Sequence, residues 1–241
     1  MIISNSNRYV FVHIRKCGGT SLTHFLHDSM NWNDIELGST DFGESIQGAY
    51  LERFGLHKHS TALEIRNTIG QPLWDDYFTF TTIRHPLTRA VSLYTYIGEK
   101  LDRSGPRRRL FSVRRRRAND EFLTWPLAQA HSATSTFSEF IRHELFLTSQ
   151  GAQPMHTSLC DDKGRLLVDV ALKLENLGED LPEILSRTGA PISQLPKMNQ
   201  SSHHDSMQSF YKSESDVEHI YDFYQRDFEL FGYSVSDALN R

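Results

Sequence analysis

An α/β fold, with a central parallel sheet and helices on its faces, is what this sequence predicts, and three observations lead there. An apolar run from Tyr9 to Ile14 enters a glycine turn and then a helix-forming segment. A second apolar run, Phe78 to Ile83, is followed by Pro86 and another helical pattern. Strand and helix patterns continue to alternate along the chain, as strand-helix-strand units require.

Each element has its own justification. Tyr9 to Ile14 reads as a buried strand and Ser21 to Ser29 as its following helix. Residues 31 to 56 show no clear period and predict loop with short elements. Leu63, Ile65 and Ile69 fit a short helix ended by Gly70 and Pro72. Phe78 to Ile83 is rich in β-formers, and the fixed φ of Pro86 opens a helix carrying Ala90, Val91, Leu93 and Tyr94. Phe137 to Leu147 predicts an amphipathic helix, Leu166 to Leu174 a third sheet strand, and Glu179 to Arg187 a helix. Val217, Ile220, Tyr221, Tyr224, Phe228 and Phe231 recur near helical spacing, so one long helix is expected from Glu214 to Phe231.

A length of 241 residues suits one domain over 1–241, interrupted at about 100–120 by an arginine-rich insertion. Eight arginines lie between 103 and 117, a density that cannot be buried without partners. The whole chain nevertheless has a formal charge of −4 and 38% hydrophobic residues, which argues against a general nucleic-acid binder. Cys17 and Cys160 are too few for a disulfide framework and favour a reducing compartment. No apolar run is long enough to span a bilayer, and the first strand starts too early to leave room for a signal sequence. A cytoplasmic protein is expected.

The chemistry starts at Arg15-Lys16-Cys17-Gly18-Gly19-Thr20-Ser21. Gly18 and Gly19 let the backbone approach an anion, and the amides opening the next helix lack intrahelical partners. Those amides and the helix dipole favour an oxyanion, to which Lys16 adds a full charge. Thr20 and Ser21 can cap the helix or touch a phosphate. Lys16 precedes both glycines, whereas the nucleoside-triphosphatase loop puts its lysine after them. The turn is P-loop-like without being that loop.

This order resembles the 5'-phosphosulfate loop of PAPS-dependent carbohydrate sulfotransferases, with Arg15 standing where proline is usual. Four further segments carry the resemblance. Arg84-His85-Pro86-Leu87-Thr88-Arg89-Ala90-Val91-Ser92 resembles the family's 3'-phosphate element, which implies that Arg84 and Ser92 hold that phosphate. An arginine fork suits the task. Arg89 is expected in a surface or interdomain ion pair. Val168 to Leu177 resembles a late strand with its Glu-Asn-Leu turn, and Leu195 to Ser202 resembles the following loop, which implies nucleotide contacts for Asn199 and Ser201. The Arg226 to Tyr233 segment matches a shared ending. The resemblance implies a sulfotransferase fold, PAPS as sulfonate donor with PAP as product, and a carbohydrate or glycoconjugate acceptor, possibly acidic. No metal is expected.

Sulfonate transfer needs a base for the acceptor hydroxyl and a cation for the departing phosphate. Lys16 suits the second task. For the first, Leu56-His57-Lys58-His59-Ser60 resembles the His-x-His segment of the uronyl 2-O-sulfotransferase branch, which implies His59 as base and His57 as a nearby acceptor-binding group. Glu64 is a rival base. With 12 histidines in the chain a His-x-His pair also arises by chance, and such a pair on a strand would suit a metal, although no third and fourth ligand follows at usual spacing. His13 reads as a core histidine, His203 and His204 as surface-loop residues. Cys17, at a helix N-terminus, reads as a packing or backbone residue rather than a nucleophile. Two rival functions remain: a phosphotransferase, and a polyanion-binding protein using Arg103 to Arg117.

Overall fold

Four short polar residues, Ser4-Asn5-Ser6-Asn7, precede the strand the sequence announces, and they turn the chain between two strands. β1 (Ile2–Ser4) and β2 (Tyr9–Val12) pair antiparallel, Ile2 opposite Phe11. The computed structural model describes residues 1–103, 121–189 and 207–239. In it β3 (Ile35–Glu36), β4 (Phe78–Ile83) and β5 (Val170–Lys173) complete a five-stranded sheet of order β3-β1-β2-β4-β5. The strands expected from sequence, β2, β4 and β5, are parallel neighbours. β1 and β3 are additions that run antiparallel, so the sheet is mixed. β5 is shorter than the expected strand. Its start is pinned by Asp169, whose carboxylate accepts from Thr79 N–H at 2.8 Å and whose own N–H donates to the Thr79 carbonyl at 2.9 Å.

Two compact units divide the chain, one formed by 1–85 with 155–202, the other by 86–154 with 203–241. In the first, α1 (Gly19–His27) and the helix Leu177–Thr188 bury Leu22, Leu26, Leu181 and Leu185 with Tyr9, Phe11, Phe80 and Leu172 of the sheet. Residues 31–56 are not mainly loop, because α2 (Asp41–Phe54) occupies most of them. Thr40 caps its start by accepting from Gly43 N–H, and Gly55, at φ 70°, ends it. Its period is hidden because only Gly43 is buried. α3 (Ala62–Ile69) ends at Gly70 as expected, and α4 (Gln71–Asp76) follows.

The second unit forms around α5 (Pro86–Arg103), whose Leu87, Ala90, Leu93 and Ile97 make one buried stripe. Phe137, Phe140, Phe146, Tyr211 and Tyr224 pack in the same core. Two expected helices are each broken. Phe137–Arg142 and Glu144–Thr148 are separated by His143, in extended backbone, whose ring accepts from Leu145 N–H. Glu214–Phe223 and Gln225–Phe231 are separated at Tyr224, whose hydroxyl donates to the Ala152 carbonyl at 2.7 Å. Hydrogen bonds set these breaks, and apolar spacing is blind to them. Arg89 is buried rather than on a surface: it donates to the Gln153 carbonyl at 3.0 Å and lies over the Tyr224 ring. The arginine-rich stretch from Ser104 to Arg117, together with Asn199, Ser201, His203 and His204, lies outside the described residues.

Candidate active site

Three parallel strands end side by side, and the sequence motifs sit at those ends. After β2 the chain passes His13 and Ile14, both buried, and then turns at Lys16 and Gly18, whose φ values are 64° and 80°. Glycine takes such a conformation readily and lysine does not, so Lys16 is held there by its surroundings. Gly18 is the N-cap of α1, and no side chain caps that helix, so the Thr20 and Ser21 hydroxyls do not cap it. Cys17 points its thiol inward at the Met155 sulfur, 3.6 Å away, which fits the packing reading. The N–H groups of the first helical turn therefore receive no side-chain cap.

At the end of β4, Arg84 reaches back to this loop, Nη1 lying 3.5 Å from the Lys16 carbonyl. The next residue, His85, donates its N–H at 2.7 Å to the carboxylate of Glu175, in the turn that follows β5. The Arg84 and Glu-Asn-Leu motifs are thus joined. Ser92 is buried on α5 and belongs to the second unit.

The histidines lie beside the glycine loop. His57 and His59 are in a turn, not on a strand. All three successive backbone N–H groups there donate to side chains: His57 N–H to Ser60 Oγ at 2.9 Å, Lys58 N–H to Gln47 Oε1 at 2.8 Å, and His59 N–H to His57 Nδ1 at 3.1 Å. Gln47 comes from α2, so the unforeseen helix braces the turn. His59 Nδ1 lies 2.8 Å from the His13 carbonyl. A carbonyl only accepts, so His59 carries its proton on Nδ1 and its lone pair on Nε2.

His13 links the two halves. Its ring meets that of His59 edge-on, centroids 4.9 Å apart, and it fills the space beside Gly19, where a Cβ would lie 2.3 Å from His13 Cδ2. His13 Nδ1 is buried without a hydrogen-bond partner. Burial, followed by the Arg15 charge, pushes His59 down to about 2. Burial also lowers His57, with Glu64 opposing and Arg15 assisting. Glu64 itself is committed elsewhere: its carboxylate accepts from Thr61 N–H at 2.7 Å while Thr61 Oγ1 accepts from Glu64 N–H, a capping box on α3. Sequence reasoning missed the linking role of His13, and also Gln47 and Ser60, which carry no motif.

An α/β sheet with an uncapped glycine loop at one strand end and an arginine at the next frames a candidate site for an oxyanion. The sequence matches the model of the sulfotransferase family over residues 1–234, and the chain belongs to that family. Sulfonate transfer is its class of reaction. Among solved structures, the crystal structure of a sulfotransferase from Alicyclobacillus acidocaldarius is similar over 94% of this chain and 99% of that one, at 16% identity and a TM-score of 0.33. No curated protein matches the chain. No helix among the described residues is long and apolar enough to cross a membrane.

Proposed function

We propose that the protein transfers a sulfonate from PAPS to a hydroxyl of a carbohydrate or glycoconjugate, with His59 as general base. The observation that carries this reading is the short path from loop to base: the His13 ring touches Gly19 at the opening of α1 on one side and His59 on the other. The donor fits the residues present. Gly18 puts no side chain at the turn, α1 has no side-chain cap, and Lys16 and Arg84 bring positive charge to one loop.

In this scheme Lys16 and the amides of Gly19, Thr20 and Ser21 hold the 5'-phosphosulfate, and the resemblance assigns Arg84 and Ser92 to the 3'-phosphate. PAPS supplies the sulfonate: the acceptor oxygen bonds to sulfur as the bond from sulfur to the phosphate oxygen breaks, leaving PAP. His59 takes the acceptor proton at Nε2, which the His13 carbonyl keeps unprotonated by holding the proton on Nδ1. Burial and Arg15 keep the ring neutral before substrates arrive. A bound anion opposes the Arg15 field, the second cause of that depression after burial. Asn199 and Ser201 are assigned to the nucleotide by resemblance. We take residues 1–241 as one sulfotransferase domain with an arginine-rich insertion, and the two cysteines, which form no disulfide, suit a cytoplasmic setting.

Incubation of the purified protein with PAPS and mixed glycans is expected to release PAP. His59→Ala is expected to bind PAP normally and to transfer roughly 10²- to 10⁴-fold more slowly. Transfer by His59→Ala at the wild-type rate would remove His59 from the mechanism.

A further inference from the structure

His13 is a core residue by burial, 4% exposed, yet its two ring nitrogens are placed unequally. Neither has a hydrogen-bond partner among the described residues. Nδ1 is sealed from solvent, whereas Nε2 is not among the sealed atoms. Nε2 lies on the ring edge turned to the start of α1, 2.5 Å from where a Cβ on Gly19 would stand. The first intrahelical bond of α1 runs from Leu22 N–H to the Gly18 carbonyl at 3.3 Å. The N–H groups of Gly19, Thr20 and Ser21 precede it and have no acceptor within the helix. A buried ring thus brings its one unsealed polar atom beside three uncapped backbone donors. The tautomer follows from the same asymmetry. Burial holds the ring neutral, well below the ordinary imidazole value, so one nitrogen carries the proton and the other the lone pair. A proton on Nδ1 would be a buried donor with nothing to receive it, so the proton belongs on Nε2.

We propose that His13 is a ligand of the oxyanion held at the start of α1: its Nε2–H donates to an anion oxygen, which in the sulfotransferase reading belongs to the 5'-phosphate of PAPS. The identity of the anion rests on that reading. His13 adds an uncharged donor to the Lys16 charge and the helix amides. Its ring is packed between Gly19 and His59, so the donor is fixed in place before the anion arrives. As the bond from sulfur to the phosphate oxygen breaks, charge gathers on the phosphate, and a donor already in place strengthens with it. Gly19 is what admits the ring to this position, since a Cβ there would displace it.

The test has two parts. In the wild-type protein labelled with ¹⁵N-histidine, with His13 assigned through the single variant His13→Gln, a protonated Nε2 is expected, and PAP should shift that nitrogen and its proton. Adenosine 3'-phosphate, which lacks the 5'-phosphate, should leave both in place. A proton on Nδ1, or a His13 signal indifferent to PAP, overturns the proposal, and this readout needs no variant to fold. Calorimetric titration then reads the affinity. His13→Phe keeps a ring beside Gly19 without the donor, and is expected to bind PAP about 10- to 100-fold more weakly while binding adenosine 3'-phosphate as the wild type does. His13→Gln, whose side-chain amide can donate at a similar reach, is expected to recover part of the loss. Equal PAP affinity in wild type and His13→Phe refutes the contact, and an equal loss on both nucleotides reduces His13 to packing. Protein that binds PAP through His13 but releases none from PAPS keeps this assignment and loses the sulfotransferase reading.

Discussion

Two residues of the glycine loop are tightly constrained, one by its backbone and one by its neighbour. Lys16 sits at φ 64°, which costs an L-residue with a Cβ about 1–2 kcal/mol. Lys16→Gly is expected to raise thermal stability by about 1 kcal/mol and to abolish most transfer, a split that melting curves and PAP release together would reveal. A variant that is neither more stable nor less active would mean that Lys16 is neither strained nor functional. Gly19 is the opposite case, since any Cβ there lies 2.3 Å from the His13 ring. Gly19→Ala must push His13 away or shift α1, which is expected to cost about 1–3 kcal/mol and to weaken PAP binding. Calorimetric titration with PAP checks it, and unaltered affinity would show that the ring yields freely.

At the scale of elements, α3 decides between two carboxylate roles. Thr61 and Glu64 cap it reciprocally. Glutamine serves equally well at that position of a capping box, so Glu64→Gln is expected to retain both stability and transfer, whereas a catalytic carboxylate would lose its activity. Thr61→Ala should cost about 1 kcal/mol in urea unfolding. The same local chemistry explains what was legible in the sequence. β2, β4, the glycine loop and α5 announce themselves because their apolar residues are buried in runs or stripes and their turns carry Gly or Pro. α2 was hidden for the converse reason, since Phe42, Leu51 and Phe54 are exposed and give no buried face to detect. Its caps, Thr40 and Gly55, were visible, and they were the better guide. Lys16, Arg84 and His59 could be named from motif and charge. Gln47 and the His13 carbonyl could not, because their contacts depend on tertiary placement of ordinary residues.

At the scale of the molecule, acid should act on the first unit through its buried histidines. His13 and His59 stay neutral in the fold, with pKa values held below the ordinary 6.5. Between pH 6.5 and the depressed folded values the unfolded chain binds more protons at these rings, so their contribution is complete above about pH 6.5 and falls as pH drops; the buried Met1 amine, lowered from 8.0 to about 4, adds a fall of the same sign that begins higher. The slope approaches about 1.4 kcal/mol per pH unit for each such histidine. Urea midpoints measured from pH 7.5 to 5.5 are expected to decline, and His13→Phe, which removes one titrating ring and an unpartnered buried nitrogen, should flatten that decline. A decline as steep in that variant would assign the acid sensitivity elsewhere.

The acceptor that orients His59 is a main-chain oxygen, the His13 carbonyl. No side-chain substitution can delete it, so the tautomer of His59 is inherited with the course of the chain after β2 rather than with the identity of any neighbour. Side chains around His59 can therefore drift while its Nε2 keeps the lone pair.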